Sequence, residues 1–180
     1  MGQIIRRLEA AGLLNETIVI VTSDHGEEFN DNRAGYWGHC GNFTEYQTRV
    51  PFMMYVPWEK PRQVTGRTAH IDVPATLVQG VFGCEADVRD YSNGRNLFGP
   101  LDEERPLVVG SYVNHAIIMG DDVYAVYPIY VQKYKVTDIK AGAAAPRVDL
   151  MKKALEEMHR FYRGDDAPRN MAEAEHANLR

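Results

Sequence analysis

Several things are scarce in this 180-residue chain. Runs of basic residues are absent: 20 Lys and Arg stand against 25 Asp and Glu, a net charge of −5. Nucleic-acid binders usually carry a basic patch, so nucleic acid is not an expected partner. No stretch reaches the roughly 20 consecutive apolar residues that span a bilayer. The N-terminus has no apolar core of the signal-peptide kind. Cysteine occurs twice, at Cys40 and Cys84, too few for a disulfide framework and silent on the compartment. No internal repeat is present. What remains is ordinary for a soluble globular protein, with 44% hydrophobic and 25% charged residues. The length suits about one domain and allows a real core.

"MGQIIRRLEAAGLL" reads as an amphipathic helix, with Ile4, Ile5, Leu8 and Ala11 at helical spacing and Gly12 at its end. Met1 is therefore expected to stand inside a longer protein. Thr17 to Thr22 is a continuous β-branched run, the pattern of a strand covered on both faces in a parallel sheet. A polar, glycine-bearing loop runs from Asp24 to about Gln47. "VPFMMYV", Val50 to Val56, reads as a second buried strand ended by Pro57. "HIDVPATLVQGVFG" predicts a helix with Asp72 as N-cap, Pro74 in the first turn and Gly83 as stop. Helix, strand, loop, strand, helix is an α/β layer pattern.

Beyond Leu101 the character changes. "PLVVGSYV", "HAIIMG", "DVYAVYP" and "YVQKYKVTD" predict a small antiparallel sheet with turns such as Gly120-Asp121-Asp122. Tyr124, Tyr127, Tyr130 and Tyr134 are expected in its packing. After "GAAAP", Asp149 is expected to cap a helix whose apolar face is Leu150, Ala154, Leu155, Met158 and Phe161. The expected division is 1–100, 101–164 and a polar tail, 165–180, that frays.

The chemistry gathers at "TSDHGEE". In open α/β sheets, ligands bind beyond the carboxyl ends of strands, where Asp24 and His25 fall. Neighbours on a regular strand point to opposite faces. Both can meet one ion only if the backbone turns, which Gly26 permits. Carboxylate plus imidazole suits Zn²⁺ or Mn²⁺ better than Ca²⁺. The same dipeptide also occurs as a helix cap followed by a surface residue. Glu27 and Glu28 read as a solvated acidic turn. His39, in "GHCG", is suited to donate to an oxyanion or a leaving group; a loop His bonded to backbone is the alternative. Cys40 has no assignable base and is read as inert. Arg49 suits an anionic ester or a neighbouring carboxylate. His70 is read as structural, and His115 as a sheet residue.

Taken in order, "LEAAGLLNETIVIVTSDHGEEF", "GHCGNFTEYQTRVPFMMYVP", "AHIDVPATLVQGVFG" and "DYSNGRNLF" resemble the C-terminal half of the sulfatase family, in the alkaline phosphatase superfamily. The last motif and final helix are most similar to the sulfatase-like periplasmic domains of inner-membrane proteins of the YejM type. The resemblance implies an α/β fold, the C-terminal portion of an alkaline-phosphatase-like sandwich with a small antiparallel sheet and a final helix. It implies Asp24 and His25 as ligands of a divalent metal. His39 would be the catalytic contact, and His39, Asn42 and Arg49 the substrate contacts. The absence of a Lys near His39 favours phosphoester-type chemistry over a true sulfatase. The implied partners are an anionic ester or lipid head group and the N-terminal half of the same protein, which carries the nucleophile. Membrane contact would run only through the parent's upstream helices, at the periplasmic face of the bacterial inner membrane. The 180 residues alone are expected to be soluble, to bind metal weakly and to turn nothing over. The alternative it implies is a domain without turnover that binds lipid or a protein partner and regulates outer-membrane lipid.

Overall fold

The computed structural model describes residues 1–162. Helix α1 spans Gly2–Ala10, and Gly12 follows with φ 70°, a left-handed stop. Strand β1 (Val19–Thr22) pairs antiparallel with β4 (Phe52–Tyr55), in the register Val19↔Tyr55 to Thr22↔Phe52. Between them lie β2 (Glu28–Phe29), β3 (Trp37–Gly38) and the single turn α2 (Glu45–Thr48). β2 and β3 form a short hairpin ladder, Glu28↔Gly38 and Phe29↔Trp37.

The parallel, doubly covered strand expected at 17–22 is thus corrected. β1 is one half of a two-stranded antiparallel ribbon, and Val19, Ile20 and Val21 are only half-buried. A β-branched run reports strand propensity but not the direction of the partner. β4 likewise alternates, with Met53 57% exposed and Tyr55 38% exposed, rather than being buried throughout.

Helix α3 starts at Asp72 and keeps α geometry only to Ala75. The chain then widens into a π turn over Thr76–Val81, with the Phe82 amide donating to the Leu77 carbonyl. Asp72 is not a cap. It is fully buried, bonded to the amides of Ala69 and Arg95 and to Arg105 Nη1 at 2.8 Å. A carboxylate next to a buried arginine is drawn into an ion pair rather than toward a helix terminus.

The antiparallel sheet is present as expected, in the order β5 (Leu107–Gly110), β6 (His115–Met119), β7 (Asp122–Val126) and β8 (Val131–Lys135). Its period-2 alternation divides the core. Ala116, Ile118, Val123, Ala125 and Tyr134 pack with Phe43 on one face. Ile117, Met119 and Tyr124 pack on the other against Ala154, Leu150 and Met151 of α4 (Val148–His159). Each large apolar side chain so buried contributes about 1.5–3 kcal/mol. Phe43 belongs to the long polar loop, so this sheet is the floor on which that loop rests. Of the tyrosines, Tyr124 and Tyr134 are core, whereas Tyr130 is 53% exposed and stacks on Tyr127.

Asp149 also fails to cap. The N-cap of α4 is Arg147, with no side-chain cap bond, and Asp149 sits inside the first turn, 3.7 Å from Arg147. On the apolar face Ala154 is buried, but Leu155 and Phe161 are 36% and 49% exposed. The tail expected at 165–180 lies outside the described residues.

Candidate functional site

Past Thr22 the backbone turns sharply, and the turn is held by its own polar groups. The Ser23 hydroxyl donates to the His25 carbonyl at 2.7 Å, and the His25 amide donates to Asp24 Oδ1 at 3.0 Å. This reversal lets two adjacent side chains approach each other. Gly26 makes it possible: a Cβ there would lie 2.0 Å from the Tyr46 carbonyl oxygen. The Gly26 amide donates to the Gln47 carbonyl at 2.9 Å, so the strand end and the loop touch backbone to backbone.

Asp24 is open to solvent. Its carboxyl is held below the usual carboxylate range, first by the His25 amide and then by the charge of the His25 imidazole. His25 Nδ1 lies 2.9 Å from the Gly26 carbonyl oxygen. A carbonyl only accepts, so Nδ1 carries a proton, and in the neutral imidazole Nε2 keeps its lone pair. That free Nε2 stands 3.8 Å from Asp24 Oδ2.

His39 arrives from the other side. Its ring stacks on that of His25, with centroids 4.2 Å apart and planes at 26°. Its Nδ1 is 2.9 Å from Glu27 Oε2. A carboxylate only accepts, so Nδ1 holds a proton here too, and in the neutral imidazole the lone pair sits on Nε2. The Tyr36 hydroxyl donates to the His39 carbonyl at 2.9 Å. Cys40 turns the chain with φ 73°, in the left-handed region. Its amide donates to Gln47 Oε1, and its carbonyl accepts from the Ser111 hydroxyl of the segment leaving β5.

The other candidate contacts lie differently. Asn42 is 4% exposed, donating through Nδ2 to Glu28 and accepting from the Thr44 amide. Arg49 is exposed and sits 3.5 Å from Glu45, one helical turn back. His70 Nε2 is 3.2 Å from the Thr22 hydroxyl, at the mouth of the same turn.

The acidic turn is corrected. Glu27 is the partner of His39, and Glu28 has no exposure at all. Alternation along β2, with Phe29 63% exposed, puts Glu28 inside. The sequence did hold a signal, since Asn42, Thr44 and Gln47 supply the donors that a buried carboxylate needs.

The donor set fits a divalent metal. Two ligands of one Zn²⁺, each about 2.0–2.2 Å from it, lie no more than about 4.4 Å apart, and His25 Nε2 and Asp24 Oδ2 meet that limit at 3.8 Å. Ligand atoms of His25, Glu27 and His39 also fall within 4.8 Å of one another. Imidazole nitrogens mixed with carboxylate oxygens select Zn²⁺ or Mn²⁺ over Ca²⁺. The Gly26 carbonyl already orients the His25 imidazole from behind, as metal-bound histidines require.

Residues 1–82 match the Sulfatase family model. Over these residues the chain is similar to the sulfatase family. The match contains the Asp24–His25 turn, the His39 loop and the ribbon of β1 and β4. A choline-sulfatase of Rhizobium meliloti is 30% identical over 97 residues, 54% of this chain and 18% of that protein. The inner membrane protein YejM of Salmonella typhimurium is 21% identical over 169 residues, 89% of this chain and 27% of YejM. Among solved structures, the phosphonate monoester hydrolase SpPMH from Silicibacter pomeroyi superposes with a TM-score of 0.62 at 19% identity, covering 92% of this chain and 38% of that one. The sulfatase fold therefore extends through the antiparallel sheet. The chain spans well under half the length of these relatives. Among the described residues no helix is long and apolar enough to cross a membrane.

Proposed function

We propose that this sulfatase-family segment supplies part of the active site of a metal-dependent hydrolase or transferase of phosphate or sulfate esters. Asp24 and His25 are the metal ligands, and Zn²⁺ or Mn²⁺ is the ion. The observation that carries the reading is the turn after β1, which aims Asp24 Oδ2 and a proton-free His25 Nε2 at one another and stacks His39 against them. A metal bound there polarises the ester and lowers the pKa of a hydroxyl nucleophile.

The chain's own residues do the rest. Glu27 accepts from His39 Nδ1, which leaves Nε2 for the ester: protonated, it donates to an ester oxygen and gives its proton to the leaving group. Asp24 stays ionised below the usual carboxylate range and so remains a competent ligand in mildly acidic solution. Arg49, exposed just past the end of α2, needs only to leave Glu45 to meet an anion. Asn42 stands behind the loop through its bonds to Glu28 and Thr44.

The nucleophile and the remaining carboxylate ligands lie upstream in the parent protein in this reading. Residues 1–100 complete its α/β core, and the described residues from 101 on, to 162, form the sheet and helix beneath the site. Similarity to YejM, which runs through the sheet and final helix, favours the periplasmic face of the inner membrane. It also supports a second reading, in which the domain binds a lipid head group or a protein partner without turnover.

The test uses the parent gene product. After EDTA treatment, hydrolysis of p-nitrophenyl phosphate and sulfate should return with Mn²⁺ or Zn²⁺ but not with Ca²⁺. Asp24→Ala and His25→Ala should each abolish it. Turnover that survives both substitutions overturns the assignment of the ligands. A parent with no turnover but with head-group binding supports the second reading.

A further inference from the structure

Glu28 is the one carboxylate of the site region that takes no part in the chemistry above, and it is entirely buried. Its Oε2 accepts from Asn42 Nδ2 at 2.8 Å, Gln47 Nε2 at 2.9 Å and the Thr44 hydroxyl at 3.1 Å. All three donors belong to the loop that follows His39. The same loop is latched at two more points: Gln47 Oε1 takes the Cys40 amide, and the Gln47 carbonyl takes the Gly26 amide. Glu28 thus holds one end of a short chain of bonds that runs through Gln47 to Cys40, the residue after His39. Its own neighbour, Glu27, holds the His39 imidazole directly.

From this arrangement we infer that Glu28 is a positioning residue: by gathering Asn42, Thr44 and Gln47 on a single oxygen it fixes the His39 loop against the end of β1 and so sets the stacking of His39 on His25. The inference rests on the proposed function for its meaning, but the geometry it concerns is that of the metal-free chain. Three side-chain donors converge on one buried acceptor, so losing that oxygen would leave three buried donors of the loop unpaired at once, a cost that holds the junction together. Oε1 is buried without a partner, so an amide nitrogen in its place breaks no existing bond.

Four variants of this chain test it: Glu28→Gln, Glu28→Leu, Thr44→Val and, as a control, Val123→Ala in the sheet core. The first readout is the imidazole ¹H–¹⁵N spectrum in EDTA, which reports the Nδ1–H tautomers of His25 and His39 and their ring-current shifts. Mn²⁺ affinity by calorimetry is the second. Glu28→Gln keeps one acceptor oxygen for the three donors and should retain both signatures. Glu28→Leu should lose the stacked, Nδ1–H signature of His39, and any Mn²⁺ binding by the chain should weaken with the loss of the ring stacked on His25. Thr44→Val removes one donor of three and should shift the same signals partway, which keeps the test alive if Glu28→Leu does not fold. Val123→Ala should lower the melting temperature while leaving the imidazole signals in place. Unchanged His39 signals in Glu28→Leu or in Thr44→Val would overturn the inference, as would equal loss in Val123→Ala. If the unsubstituted chain binds no Mn²⁺, as the ligands placed upstream in the parent allow, the imidazole spectra alone decide the role of Glu28, and the metal assignment is tested separately by Asp24→Ala and His25→Ala in the parent.

Discussion

The imidazoles of His25 and His39 stack at 4.2 Å, and each is held from behind by an acceptor that fixes the same tautomer. One acceptor is a backbone carbonyl and the other a carboxylate. Only the second can be removed by substitution, which makes Glu27 the lever for separating orientation from ligation.

Glu27→Gln should leave the fold nearly untouched. The Glu27–His39 pair is about two-fifths exposed on both sides, and such pairs are worth at most about 1 kcal/mol after screening. In the parent enzyme, turnover should nevertheless fall by about 10-fold or more, the scale on which an orienting partner acts. Paired melting and kinetic measurements check this; a melting loss matching the activity loss would refute it.

Asp72 and Arg105 should behave in the opposite way, since both are buried and 2.8 Å apart. Asp72→Ala strands a buried guanidinium and should cost about 3–5 kcal/mol. Replacing both by apolar residues should recover part of that loss. Urea denaturation of the two singles and the double closes the cycle.

Gly26→Ala should be among the most damaging small changes in the chain. Its new methyl would clash with the Tyr46 carbonyl oxygen, a backbone atom, with no flexible side chain to give way. A loss above the usual 0.5–3 kcal/mol range for point substitutions (roughly) is expected, with His39 displaced in the imidazole spectrum.

Tyr134 gives a pH prediction. Burial pushes its hydroxyl above the ordinary tyrosine range, outweighing the Phe43 amide that donates to it. A folded-state pKa above the unfolded value means the protonated form belongs to the native state. The associated stability is complete below about pH 10, the unfolded tyrosine value, and declines above it. In a 295 nm titration, one tyrosine should ionise together with unfolding rather than before it. Tyr134→Phe should remove that coupled step.

Much of the antiparallel sheet could be read directly, because its alternation is short-range and its turns are marked by Gly120 and its neighbours. Asp24, His25 and His39 were legible as residue types, and the structure draws them together. What the sequence hid was the state of its carboxylates. Glu27 and Glu28 look alike in a row of letters; one is the partner of a histidine and the other is sealed inside, a difference set by the side of β2 each occupies. Asp72 resembled a cap because Pro74 follows it, yet its partner Arg105 lies far along the chain, where local pattern does not reach. The direction of the strand paired with β1 was hidden for a related reason: a run of Ile and Val fixes extension, not the neighbour.

The loop carrying His39 is tied to the antiparallel sheet by three bonds: Phe43 N–H to Tyr134 Oη, Glu45 N–H to the Val136 carbonyl, and the Ser111 hydroxyl to the Cys40 carbonyl. In the currency of exchange with heavy water, the loop has borrowed the sheet's clock. The amides of Phe43 and Glu45 should exchange at the rate of the strands beneath them, so that a segment rich in Gly, Asn and Thr keeps time with a β core.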